Sequence, residues 1–180
     1  QFNLESLRKE AKRWLKALRT GDPQATERLA SIHPGHSTPT LRTVQHALAL
    51  EHGFPSWAAL KRELEERAIA ARSHAERVQL FLEKSAIRYN VAPGSAQWNT
   101  YEPDKPLRGE VAARLLARYP EIARDSIHAA VAAHDLKAVL DFLKKDPAAA
   151  NRAGGPDGWT PLLRLAYTRM PIDALNQNAL

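Results

Sequence analysis

Cysteine is absent from this 180-residue sequence, and its absence excludes disulfide bonds and the common zinc sites built from thiolates. It suits the cytoplasm, which is the location we expect for the protein. No apolar run is long enough to predict a membrane span. Alternation of apolar and polar residues does not persist anywhere, and no Asn-Gly turn joins two β-branched runs. The composition therefore predicts an all-α protein.

The motifs of common catalytic centres are also missing. The sequence contains no Gly-x-Ser-x-Gly nucleophile elbow, no phosphate-binding loop ending in Gly-Lys-Ser/Thr and no His-Glu-x-x-His. His33 and His36 stand close together, but a zinc site needs three or four convergent ligands and no nearby acid or thiol completes this pair. We expect no enzyme activity, no cofactor and no bound metal.

Helical periodicity is what the sequence does contain. Leu4 to Arg19 places its apolar residues within one arc of about 100° at helical pitch, which predicts an amphipathic helix. An adjoining face carries six cations: Arg8, Lys9, Lys12, Arg13, Lys16 and Arg19. With two acids in the segment, they give it a net charge of +4, which is most of the +6 of the whole chain. Such a helix could bind nucleic acid, an anionic membrane surface or an acidic partner, or it could be the solvated outer face of a terminal cap.

A second helical region runs from Thr40 to Glu66. Its apolar stripe of Leu41, Val44, Leu48 and Leu50 predicts one helix, and Ser56 is placed to cap another that carries Trp57, Leu60 and Leu64. The helix, glycine-containing turn and helix match the outline of a DNA-binding helix-turn-helix, with Lys61, Arg62 and Arg67 facing the duplex. Glu63, Glu65 and Glu66 on the same helix oppose that interpretation, because phosphates would repel them.

The segment from Gly155 to Leu162 predicts a tight turn followed by a helix. Asp157 and Gly158 suit the turn, Thr160 can cap the helix with its hydroxyl, and Pro161 fits the first helical position. Thr160-Pro161-Leu162 resembles the Thr-Pro-Leu-His signature of ankyrin repeats, with Leu163 in place of the histidine. We expect Leu162 to point inward.

Upstream residues extend the resemblance. Ile127 occupies the place equivalent to Leu162, 35 positions earlier and close to the ankyrin period. A second recurrence has a spacing of 27 residues. Five residues each lie 27 positions before a similar residue of the next repeat, namely Ala112, Leu115, Leu116, Pro120 and Ile122. His134 replaces the glycine that ends the first ankyrin helix, a site that often needs left-handed geometry. Gly53-Phe54-Pro55-Ser56-Trp57 is similar to the helical region that precedes the repeats of bacterial ankyrin-repeat proteins.

The resemblance implies an all-α fold, an α-solenoid of ankyrin-like helical hairpins preceded by an N-terminal helical cap. Residues 1–72 would form the N-terminal helical region and residues 73–180 the divergent repeats, the last of them incomplete, with Tyr89 to Pro106 as a loop. The implied function is noncovalent binding of a protein partner through hairpin tips and the concave helical face. The tip positions are Arg124, Asp125, Arg152, Asp157 and Trp159. The alternative is a nucleic-acid-binding module that uses the basic N-terminal helix or the 40–66 hairpin.

Overall fold

The chain folds into two compact units, Gln1–Ala71 and Arg72–Leu180. The structure, a computed structural model, describes residues 3–32, 39–87 and 107–171. These residues form helices and turns, with two isolated antiparallel bridges and no strand among them. The expectation of an all-α protein is therefore confirmed. None of the described helices is long and apolar enough to cross a membrane.

The described residues of unit 1 form four helices: α1 (Leu4–Arg19), α2 (Pro23–Ile32), α3 (Leu41–Glu51) and α4 (Trp57–Ala70). The predicted first helix has the bounds that its periodicity indicated. Asn3 starts it with a capping box, because its side chain accepts from the Ser6 amide while the Ser6 hydroxyl accepts from the Asn3 amide. Gly21 follows the helix with a φ of 77°, a left-handed conformation that glycine adopts without strain.

Packing in unit 1 is centred on Trp14, which is 4% exposed in a cluster formed by α1, α2 and α3. Its indole Nε1 donates to the carbonyl of Ala25 at 3.1 Å, so the buried polar atom has a partner. Arg28 covers the ring at 4.0 Å and also pairs with Glu51 at 2.6 Å and Glu10 at 2.8 Å. Its hydrogen bonds to Glu51 raise its pKa above the usual value.

The 40–66 region contains the two expected helices. Ser56 caps α4 by accepting from the Ala59 amide at 3.1 Å, as predicted. Part of the predicted stripe of α3 is wrong, since Leu41 and Leu50 are 36% and 38% exposed. Ala47 and Ala49 are fully buried, because α1 and α4 pack close to α3 on the faces that carry small side chains.

Unit 2 contains five described helices: α5 (His74–Lys84), α6 (Leu107–Arg118), α7 (Ile127–Ala132), α8 (Leu136–Lys145) and α9 (Pro161–Ala166). Helix α6 begins at Leu107, upstream of Ala112, the first of the five residues in the 27-residue recurrence. A 3₁₀ turn, Pro120–Arg124, follows α6, and another, Pro147–Asn151, follows α8. The two helix ends and the two turns are each 27 residues apart, which is the spacing found in the sequence. The tryptophan and tyrosines expected in the loop from Tyr89 to Pro106 lie outside the described residues.

Helix α7 is the centre of unit 2, since all six of its residues are buried and it packs against α5, α8 and α9. Beyond α9 the chain turns back to the end of α5. The Ile87 amide donates to the Tyr167 carbonyl at 3.0 Å, and the Arg169 amide donates to the Ser85 carbonyl at 2.7 Å. These two bonds join segments that lie 80 and 84 residues apart in the chain.

Two local predictions in unit 2 have different outcomes. His134 has a φ of 57°, so the expected left-handed geometry at the end of α7 is confirmed. Pro161 is the first residue of α9, also as expected, but the Thr160 hydroxyl makes no capping hydrogen bond. The caps of α7 and α9 are Ser126 and Thr160, so the helices repeat after 34 residues rather than 35.

Candidate functional site

The five residues predicted to bind a partner lie on three turns of unit 2. Arg124 ends the first 3₁₀ turn and Asp125 follows it, while Arg152 follows the second. Asp157 and Trp159 belong to the turn between Gly154 and Thr160, which is closed by a hydrogen bond from the Gly154 amide to the Trp159 carbonyl at 2.9 Å. The structure therefore does not gather these five residues into one constellation.

Intramolecular contacts involve four of the five. His74 Nε2 lies 2.9 Å from Asp125, and Arg152 pairs with Asp146 at 2.6 Å. Asp157 accepts from Arg164 at 3.2 Å. The Trp159 ring contacts the ring of Tyr167, with 5.4 Å between centroids. Their role in partner binding stays a prediction, and each of these contacts would have to be shared with the partner or broken.

The expectation for Leu162 is wrong. Its side chain is 74% exposed, whereas Arg164, two residues later, is 1% exposed. The Arg164 guanidinium donates to the Leu82 carbonyl at 3.0 Å, and its other terminal nitrogen donates to Asp157. Helix α9 therefore directs a charged side chain inward, because a carbonyl at the end of α5 and a carboxylate on the preceding turn are there to receive it.

Two of the tip residues line clefts: Asp157 lines one of about 180 Å³, and Arg124 lines one of about 260 Å³. The opposite wall is helix α8. The described lining residues are Arg124, Lys137, Ala138, Asp141, Phe142 and Lys145. Lys137, Asp141 and Lys145 succeed one another at intervals of four residues, so they project from one face of α8. We call this feature the basic cleft.

Charge in the basic cleft is unbalanced. Arg124, Lys137 and Lys145 form no ion pair with any residue in the part of the chain that the structure describes. Asp141, the acid among the lining residues, lies 3.7 Å from Lys144, outside the lining. Three cations thus face one acid that already has a cationic neighbour, and the local positive potential attracts an anionic group.

The floor of the basic cleft is apolar and fixed. Ala138 is 6% exposed, and Phe142 packs partly buried against the cluster of Ile127, Val131 and Ala149. Asp135 caps α8 by accepting from the Ala138 amide at 2.9 Å, which fixes the start of the helix. A ligand in the cleft would contact one aromatic face and three mobile cationic heads held on a rigid scaffold.

A larger hollow of about 840 Å³ lies in unit 1, between the starts of α3 and α4. Its described lining includes Thr40 and Ser56, but both hydroxyls already accept from the amides that they cap. Arg42 is the one lining residue in the described part of the chain with a permanent positive charge. The hollow therefore gathers less charge than the basic cleft does.

Two of the cations carried by α4 form ion pairs on the same helix. Lys61 lies 3.4 Å from Glu65, and Arg67 lies 2.7 Å from Glu63. Two of the three cations that the helix-turn-helix interpretation directs at a duplex are thus neutralised by neighbours one turn away. This pairing weighs against DNA binding through α4.

No group of three or more histidine, aspartate or glutamate side chains among the described residues is placed to hold a metal ion. His33 and His36 lie outside the described residues. In unit 2, His128 is buried and its Nε2 donates to the Arg152 carbonyl at 3.0 Å. It therefore acts as a structural link between α7 and the second 3₁₀ turn.

Comparison with known proteins gives no further guidance to the site. No family model matches the chain, and neither the curated proteins nor the solved structures contain a match. The chemistry of the site therefore has to be argued from its own residues.

Lys137, Phe142 and Lys145 were missed as site residues by reasoning from the sequence. A signal was present, because Lys137 and Lys145 lie on the same helical face, eight residues apart. The sequence did not show that Arg124 lies across from that face, since the first 3₁₀ turn and α8 meet only through the packing of α7 against both.

Proposed function

We propose that this protein is a noncovalent protein-binding scaffold, and that the basic cleft holds an acidic segment of its partner. The observation that carries the proposal is the set of three cations without intramolecular ion pairs, Arg124, Lys137 and Lys145, around the ring of Phe142. Carboxylates of a partner would pair with the cations while an apolar or aromatic side chain covers the phenyl ring.

The same arrangement sets the strength of binding that we expect. Exposed ion pairs contribute about 0.2–1 kcal/mol each, and truncation of an interface aromatic can cost about 2 kcal/mol or more. The charges then mainly set orientation and association rate, and Phe142 sets most of the affinity. A cleft of about 260 Å³ accepts one or two side chains, so further contacts would come from the surface around it.

An ankyrin-like solenoid is the architecture that we propose for unit 2. Three features support it: the paired helices α5 with α6 and α7 with α8, the 27-residue recurrence of helix and 3₁₀ turn, and the left-handed His134. One feature departs from an open stack, in which each repeat contacts only its neighbours. The hydrogen bonds from the Ser85 region to the Arg169 region join the first hairpin to the third.

The test uses a defined probe and matched variants. A fluorescein-labelled peptide of alternating glutamate and phenylalanine is titrated with the full chain, and binding is followed by fluorescence anisotropy. We expect the combined change of Arg124, Lys137 and Lys145 to glutamine to weaken binding at least tenfold. Phe142→Ala should weaken it as well, which bulk charge attraction would not explain.

The combined change of Arg8, Lys12 and Lys16 to glutamine is the matched control, because it also removes three positive charges and these residues lie in unit 1, outside the cleft lining. Equal losses in the control and in the variant without the three cleft cations would contradict a site in the cleft. The same variants then serve in comparative affinity purification from the native host, where a true partner is retained by the control and lost with the variant that lacks the cleft cations.

A further inference from the structure

A row of cations follows the exposed face of α1 in unit 1. Arg8, Lys12, Lys16 and Arg19 are spaced by four, four and three residues, so at about 100° per residue they fall within an arc of about 80°. Over eleven residues at a rise of about 1.5 Å the row is about 16 Å long. Arg13 flanks the row, and all five side chains are exposed. We call Arg8, Lys12, Lys16 and Arg19 the α1 basic row.

No member of the α1 basic row has an intramolecular ion pair within the described residues. Neighbouring cations in the same unit show that pairing is available. Lys9 lies 2.7 Å from Glu5, and Arg28 pairs with two carboxylates. The row therefore carries positive charge that is not balanced by ion pairs, whereas the neighbouring Lys9 and Arg28 are paired with carboxylates.

Retaining this row has an energetic cost. Like charges four residues apart on a helix destabilise it by about 0.2–0.5 kcal/mol per pair. Arg8 with Lys12 and Lys12 with Lys16 are two such pairs. Lys16 and Arg19 lie in the last turn of α1, where a cation interacts favourably with the helix dipole. Arg8 lies outside that turn and gains no such stabilisation.

Insertion of α1 into a lipid bilayer is opposed by its packing. The apolar face of α1 is occupied, since Leu7, Ala11, Trp14 and Leu15 are buried in unit 1. An amphipathic helix that binds a membrane must bury that face between the lipids. Only the charges are accessible, which favours a partner that presents a line of negative charges over an apolar one.

We propose that the α1 basic row binds the phosphate backbone of duplex nucleic acid without reading its sequence. Each strand of a duplex carries one negative charge per about 3.4 Å of the helix axis, so a row of about 16 Å lies along about five phosphates of one strand. Four cations on one narrow stripe complement such a line. Among the residues that the structure describes, none forms a hydrogen bond that would fix a side chain of the row for base recognition, so the interaction is one of charge.

The expected signature is a steep dependence on salt. Four phosphate contacts give a slope of about −3.6 in log affinity against log salt concentration for B-form DNA. Between 50 and 200 mM salt the affinity should then fall by about 150-fold. Two duplexes of unrelated sequence should bind alike.

The experiment measures fluorescence anisotropy of a labelled 20-base-pair duplex titrated with the full chain. The test variant changes Arg8, Lys12, Lys16 and Arg19 to glutamine, and we expect at least a tenfold loss of affinity at 50 mM salt and a slope near zero. The control variant changes Arg124, Lys137, Lys144 and Lys145 to glutamine. Both variants remove four positive charges, so they have equal net charge, and circular dichroism checks that both keep their helices.

Three results would overturn the proposal. The unchanged chain could fail to bind duplex at 50 mM salt, or the control variant could lose as much affinity as the test variant, which would show an effect of net charge alone. Binding to vesicles containing phosphatidylserine but not to duplex would assign the row to a membrane surface instead. If the control variant loses peptide binding but binds the duplex as well as the unchanged chain does, the α1 basic row and the basic cleft are separate sites.

Discussion

Arg164→Ala is the substitution that most directly tests how unit 2 is held together. Arg164 is 1% exposed, and its guanidinium joins α9 to the Leu82 carbonyl at 3.0 Å and to Asp157 at 3.2 Å. Burial lowers its pKa, and the Asp157 carboxylate opposes that shift. Its Nε has no hydrogen-bond partner within the described residues. The side chain is thus a buried charge in which two of the three guanidinium nitrogens have a hydrogen-bond partner.

The magnitude follows from what the substitution leaves behind. Removal of one partner from a buried ion pair costs about 3–5 kcal/mol when the other partner stays buried. Asp157 keeps 25% of its side-chain exposure, so it can regain water, which places the loss at the lower end of that range. The Leu82 carbonyl has less access to water and adds the cost of an unsatisfied acceptor, about 1–3 kcal/mol. We expect the free energy of unfolding to fall by about 4 kcal/mol.

Urea unfolding followed by circular dichroism measures the loss, and hydrogen exchange of the α7 amides assigns it to unit 2. A double-mutant cycle with Asp157→Asn should give a coupling of about 1.5 kcal/mol, the usual range for a hydrogen bond to a charged group. Arg124→Ala, at an exposed arginine of the same unit, is the control and should change stability by less than about 0.5 kcal/mol. A loss below about 1 kcal/mol for Arg164→Ala would refute this account of the fold.

Three further substitutions test single features of unit 2. Gly109→Ala in α6 should lower the free energy of unfolding by about 1–3 kcal/mol, because the alanine Cβ would lie 1.6 Å from the Arg169 carbonyl oxygen. Alanine normally favours a helix over glycine, so an increase in urea resistance would contradict the close approach. His134→Gly should raise stability by about 1 kcal/mol by relieving left-handed strain. Burial lowers the pKa of His134, so the stability that its neutral ring contributes is present above the unfolded-state pKa of about 6.5 and is lost as pH falls through the folded-state pKa. The melting temperature of His134→Gly should therefore depend less on pH over that window. An unchanged pH dependence would show that other groups cause it. Trp159→Ala should lower stability by about 2 kcal/mol through loss of its contact with Tyr167, and a shift of melting temperature of only a degree or two would favour the role at a binding interface.

Local chemistry was enough to predict many features of the chain. The bounds of α1, the Ser56 cap of α4, the left-handed His134 and the start of α9 at Pro161 all follow from signals that span a few residues. Such features depend on helical pitch, on side-chain oxygens that accept from free amides, and on the fixed φ of proline. Because neighbouring residues determine these features, they can be predicted from the sequence alone.

Only the tertiary structure decided which side of the short helices is buried. Arg164 points inward and Leu162 outward because the inside of α9 meets the Leu82 carbonyl and the Asp157 carboxylate, one of them 82 residues away in the chain. In the same way, the basic cleft exists because packing on α7 brings Arg124 opposite Lys137 and Lys145. A six-residue helix has too few residues for its periodicity to define a face, and the partners of a buried charge lie far away in sequence, so the sequence determined the helices and the packing determined the site.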